Sequence, residues 1–167
     1  MSQGLYVTGC EPATGKSAVA LGLFELLTRR VGRLGVFRPV VHAVEEGDRV
    51  VDLLRGRAPV ADEASTEASL GVSYADLLAD EDRALAEVVA RFRALAGRCD
   101  RVLVVGTDFS EAGAARELSL NARIAVNLGL PVVGVVSGRG RTAAEVAAAL
   151  DGGAVALRTA GCDVVAL

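Results

Sequence analysis

The sequence predicts an α/β fold: a mostly parallel sheet in three layers, with helices on both faces. Three observations carry that expectation. Short apolar runs alternate with segments of helical periodicity along the whole chain. Two of the runs, Val102-Leu103-Val104-Val105 and Val132-Val133-Gly134-Val135, show no polar alternation, as strands buried on both faces do. A Gly/Pro-containing loop joins the first run to the first helical segment.

The elements follow in order. Gly4–Gly9 reads as a first strand ending in glycine. From Lys16 to Arg30 the apolar residues Val19, Leu23, Leu26 and Leu27 recur at helical spacing, and Arg29 and Arg30 suit a helix C-terminus. Leu34–Phe37 reads as a second strand stopped by Arg38-Pro39. Residues 48–54 read as a short helix, with Asp48 as its cap. Residues 57–72 are small and polar and read as a long loop. Residues 80–95 form a helix with Leu85, Val88, Val89, Phe92 and Leu95 on one face, closed by Gly97. Arg101–Val105 is a third strand, 117–128 a helix, 131–136 a fourth strand, 142–150 a helix capped by Thr142, and 163–167 a fifth strand.

Composition sets the limits. The 167 residues fit one domain, 1–167, and 51% hydrophobic residues suffice for a core. With 18 basic and 21 acidic residues the net charge is −3, which argues against a nucleic-acid footprint. No uncharged apolar run approaches the roughly 18 residues of a membrane span, and Met1-Ser2-Gln3-Gly4 lacks a basic leader, so no membrane partner and a cytoplasmic location are expected. Cys10, Cys99 and Cys162 have no metal or disulfide spacing and read as small apolar residues. His42 is the single histidine and has no nucleophile elbow to serve; it reads as a surface residue.

The chain holds 17 arginines and one lysine. That lysine, Lys16, lies in Gly9-Cys10-Glu11-Pro12-Ala13-Thr14-Gly15-Lys16-Ser17, between a strand and a helix. This is the context of a phosphate-binding loop, in which backbone N–H groups meet an anion. Lys16 would reach outer phosphates as a flexible point charge, a task the rigid guanidinium fork does poorly. Five residues separate Gly9 from Gly15-Lys16, where the standard pattern has four. Arg38, Arg139 and Arg141 follow predicted strands and are candidate anion partners, because ligands of parallel sheets bind beyond the carboxyl ends of the strands. Ser17, Asp48 and Asp108 are the candidate Mg²⁺ ligands.

Gly-x5-Gly-Lys-Ser after a first strand resembles the loop of dethiobiotin synthetase-like P-loop proteins. More narrowly, the chain resembles the N-terminal domain of long-form bacterial phosphate acetyltransferases. The matching residues are Tyr6 to Pro12 with Gly15-Lys16-Ser17, Gly35 to Pro39, Gly71 to Tyr74, Gly106 to Phe109, Asn121 to Ala125 and Val135 to Thr142. The resemblance implies a P-loop NTPase-like fold with strand order 2-3-1-4-5. It also implies a regulatory domain that binds an anionic metabolite or a nucleotide such as ATP, sits beside the remaining domains of its parent enzyme, and joins a homo-oligomer. The transfer chemistry itself would lie in a C-terminal domain, and the end at Leu167 reads as a boundary within a longer chain.

One departure is notable. Dethiobiotin synthetase-like proteins carry Glu-Gly at the end of the third strand, and this chain has Val105-Gly106. Val105 has no metal-binding atom, so Mg²⁺ binding is expected to be weak. An ATP- and Mg²⁺-dependent enzyme of that type and a purely structural domain stay open as alternatives.

Overall fold

Every apolar run singled out above becomes a strand, and all strand pairs are parallel. The computed structural model describes residues 4–57, 66–107 and 113–167. Its elements are β1 (Gly4–Gly9), α1 (Lys16–Thr28), β2 (Leu34–Val41), α2 (Arg49–Arg55), β3 (Leu70–Ser73), α3 (Tyr74–Ala79), α4 (Glu81–Ala96), β4 (Arg101–Val105), α5 (Ala114–Leu128), β5 (Val132–Val135), α6 (Ala143–Thr159) and β6 (Val164–Ala166). A single 3₁₀ turn, Thr66–Ser69, precedes β3.

The sheet runs β3-β2-β4-β1-β5-β6. The five strands expected from sequence stand in the expected order, with the first between the third and the fourth. The difference is β3, an additional edge strand that begins within the segment 57–72 read as a loop and ends one residue past it. Its pairing with β2 requires close approach, because a Cβ on Gly71 would lie 2.0 Å from the Pro39 carbonyl oxygen. Strand β2 also runs past the expected stop at Pro39. It pairs with β4 through residues 34–37 and with β3 only from Arg38 onward, so Pro39 falls beyond the β4 ladder.

Alternation within the buried strands sorts side chains into two cores. Tyr6, Phe37 and Val104 face one cluster with Leu85, Val88 and Phe92 of α4 and Ile124 of α5. Val7, Val36, Leu103 and Val105 face the other, with Ala20 and Phe24 of α1 and Val51 and Leu54 of α2. Phe37 and Phe92 meet edge to face, with ring centroids 5.8 Å apart. Helix α6 continues nine residues beyond its expected end, through Gly152 and Gly153. At Gly153 a Cβ would lie 2.8 Å from Cys10 Sγ, so glycine is needed for packing there although it weakens the helix locally. No helix among the described residues is long and apolar enough to cross a membrane. His42 is exposed just after β2, as expected.

Candidate functional site

The loop between β1 and α1 leaves the carboxyl end of the sheet between β4 and β5. Cys10 N–H donates to the Val135 carbonyl at 2.8 Å, which ties the start of the loop to β5. The chain then turns through two left-handed residues, Ala13 (φ 54°) and Gly15 (φ 80°). Glycine occupies that region without strain, whereas Ala13 does so at a cost, and such residues concentrate at binding sites.

Helix α1 opens differently from most of its neighbours. The side chains of Asp48, Ser73, Asp80 and Thr142 cap α2, α3, α4 and α6. Gly15 gives α1 no side-chain cap, and its first turn holds no acidic residue. Ala18 N–H donates to the Gly15 carbonyl at 2.9 Å, and the helix start, with the positive end of its dipole, is of the kind that suits an anion. Beside it lies a hollow of about 370 Å³ lined by Gly9, Glu11, Ala13, Thr14, Gly15, Lys16 and Ser17.

Lys16 is buried, and its Nζ crosses to the end of β4. There it donates to the carbonyls of Thr107, at 2.6 Å, and Gly106. The lysine thus joins the loop to the strand end where a P-loop protein would place its acidic residue. That strand end is itself held by a buried polar cluster which the sequence reading missed. Asn121 Oδ1 accepts from Tyr6 OH at 2.7 Å and from Thr107 N–H at 2.8 Å. Asn121 Nδ2 donates to Thr107 Oγ1 at 2.8 Å and to the Glu117 carbonyl at 2.9 Å. The Glu117 carboxylate accepts from Thr107 Oγ1 and Tyr74 OH. Burial pushes both the Tyr6 and the Tyr74 phenol above their ordinary values, so both stay protonated donors. The available signal was polar Glu117 and Asn121, four apart, on the same stripe as Leu120 and Ile124.

The remaining sequence-predicted site residues divide. Cys10 and Pro12 lie on the loop but do not line the hollow. The Cys10 side chain turns toward Gly134 and Gly153, and burial pushes its thiol up, away from reactivity. Arg38 is buried, but it sits under the strand ends: Nε donates to Asp48 Oδ2 at 3.0 Å, and a terminal nitrogen reaches the Val105 and Gly106 carbonyls. Arg139 is exposed on the loop after β5. Arg141 forms a bidentate pair with Glu11, one contact measuring 2.8 Å, and Glu11 also accepts from Ser137 N–H at 3.0 Å. Arg141 holds the Glu11 carboxyl below the usual carboxylate range. Arg141 therefore clasps the loop to the segment after β5 and does not line the hollow.

Among the described residues, the magnesium candidates offer a poor ligand set. Asp48 Oδ1 accepts from Val50 and Val51 N–H as the cap expected from sequence, and its other oxygen is paired with Arg38, so cap and ion pair together engage both oxygens. Val105 lies in the apolar cluster under α1. Asp108 falls outside the described residues. Ser17 alone gives one hydroxyl, whereas Mg²⁺ usually takes at least one carboxylate. Among the described residues no three His, Cys, Asp or Glu side chains gather as a metal site.

Comparison with known proteins fixes the family. A family described as "AAA domain" matches residues 3–166. The chain belongs to that family. This AAA domain is also 35% identical over 170 aligned positions to a phosphate acetyltransferase of Nitratidesulfovibrio vulgaris, covering 99% of this chain. It is 28% identical to the phosphate acetyltransferase of a Synechocystis species, again across 99% of its length. In both cases it spans only 24% of the relative. Among solved structures, the BceF tyrosine kinase domain superposes with a TM-score of 0.55 at 22% identity, covering 97% of this chain and 66% of that one. The kinase domain of Escherichia coli tyrosine kinase ETK gives 0.53 at 14% identity, covering 98% and 65%. At such identities the likeness is one of fold.

Proposed function

We propose that this AAA domain is the regulatory, dethiobiotin synthetase-like N-terminal part of a cytoplasmic phosphate acetyltransferase. In this reading it binds an anionic metabolite or a nucleotide on the 9–17 loop and does not turn it over. The parent reaction, acetyl-CoA plus phosphate to acetyl phosphate plus CoA, belongs to the rest of that enzyme, which also self-associates.

The observation that carries this reading is the contrast at the site. The phosphate half is intact: an uncapped helix start, a glycine-bearing loop and Lys16. The metal half is not, since Val105 stands where the carboxylate of a working nucleotidase would, and Asp48 is taken. Binding without hydrolysis is the chemistry that such a half-site supports.

Calorimetric titration of the chain with ATP, NADH, pyruvate and phosphoenolpyruvate, beside a steady-state ATP hydrolysis assay, tests the proposal. Saturable binding of at least one anion with no hydrolysis above the buffer rate is expected. Magnesium-dependent ATP turnover would make the chain an enzyme in its own right, and failure of every anion to bind would make it a structural domain.

A further inference from the structure

Glu11 is one of the residues that line the hollow beside the α1 start, and Arg141 is not. The Glu11 carboxylate fills a set of donors that the segment after β5 aims at it. Ser137 N–H reaches Oε1 at 3.0 Å, one terminal nitrogen of Arg141 reaches the same oxygen, and the other reaches Oε2 at 2.8 Å. These donors are held in place. Arg141 also donates from its side chain to the Ser137 carbonyl at 3.0 Å, and its N–H closes a turn on the Gly138 carbonyl at 3.3 Å. Gly140 supplies the left-handed residue of that turn (φ 70°), and Thr142 then caps α6. A guanidinium fork with a backbone N–H beside it is a receptor for a carboxylate, and here the carboxylate comes from the chain itself.

This cradle adjoins the 9–17 loop at the carboxyl end of the sheet, where ligands of parallel sheets bind. The Glu11 and Arg141 side chains are 26% and 32% exposed, and an ion pair so open to water stabilises the fold little. A ligand already seated at the α1 start would present a second anionic group at high effective concentration, which favours exchange with Glu11. Exchange would also take the negative charge of Glu11 away from a ligand of the same sign.

We propose that Ser137 N–H and Arg141 form a carboxylate subsite that Glu11 fills until a ligand takes its place. The ligand is a small phosphorylated carboxylic acid, with its phosphate at the α1 start and its carboxylate on Arg141. The proposal rests on the anion-binding reading of the 9–17 loop and narrows the class of anion.

Calorimetric titration of the full chain with phosphoenolpyruvate, inorganic phosphate and ATP tests it. The chains compared are the parent, Glu11→Gln, and Glu11→Gln combined with Arg141→Gln, each checked for folding by circular dichroism. Glutamine at position 11 keeps the size and the acceptor for Ser137 N–H but removes the charge that holds Arg141. Phosphoenolpyruvate should bind the parent, and Glu11→Gln should tighten it on the order of fivefold to tenfold, because Arg141 no longer has to be won from a competitor. Inorganic phosphate has no second group for Arg141, so its affinity should change by no more than about twofold. Adding Arg141→Gln should cancel the gain for phosphoenolpyruvate. No gain, an equal gain for inorganic phosphate, or a gain that survives Arg141→Gln would overturn the subsite alone. ATP binding without phosphoenolpyruvate binding would do the same and leave the loop reading standing. Failure of all three to bind any of the chains would overturn both.

Discussion

Asn121 decides whether the end of β4 is a fixed platform for Lys16. It satisfies Tyr6 OH and Thr107 N–H with one oxygen, and all three residues are essentially inaccessible to solvent. Asn121→Ala leaves both donors buried without that acceptor and should cost roughly 2–4 kcal/mol of stability, readable by urea denaturation. A loss within a few tenths of a kcal/mol would mean that the cluster reorganises freely. Glu11 supports a prediction in pH. Arg141 depresses its folded pKa, so the clasp contributes stability that is fully present above the unfolded carboxylate value of about 4.3 and is lost as pH falls through the lower folded value. Thermal melts of the parent and Glu11→Gln should therefore differ above about pH 5 and converge in acid. A difference that stays constant into acid would contradict the clasp.

At the scale of elements, Gly71 is the position on which the edge strand depends. A methyl group there meets the Pro39 carbonyl within 2.0 Å, and that atom belongs to the backbone of β2 and cannot rotate away. Gly71→Ala should displace β3 and destabilise the fold by about 1–3 kcal/mol, with loss of amide protection in residues 70–73 by hydrogen exchange. Unchanged protection would show that the strand tolerates the shift. The same strand marks where sequence reading stops. Four residues containing a glycine give no periodicity, and the pairing that makes them a strand comes from a distant partner. Pro39 misled in the same way, since its missing N–H matters only beside a neighbour and β4 has already ended there. Long signals were legible: β4 matched residue for residue, and α4 to within one residue at each end. The loop between β1 and α1 was legible because its residues are contiguous. The cluster of Tyr6, Thr107, Glu117 and Asn121 was not, since three separate elements assemble it. Nor does sequence show that Asp48 and Arg38 satisfy each other, which takes both from the ligand sets that their positions suggested.

At the scale of the whole molecule, two cores clamp the parallel sheet, and the loop sits where the carboxyl ends of β1, β4 and β5 converge. Among the described residues, the loop brings an uncapped helix start and Lys16 to that end of the sheet, where Val105 offers no metal-binding atom and Asp48 is paired with Arg38. The central claim is that an anion binds the 9–17 loop through N–H groups and Lys16, with little need for Mg²⁺. Calorimetric titration of the parent chain and Lys16→Ala with phosphoenolpyruvate and with ATP, each with Mg²⁺ and with a chelator, tests this most directly. The account predicts that the anion which binds does so with nearly the same affinity in both buffers, and that Lys16→Ala weakens it by about 1.5–3 kcal/mol, the worth of a charged hydrogen bond. Binding that disappears with the chelator while Lys16→Ala leaves it intact would contradict the account.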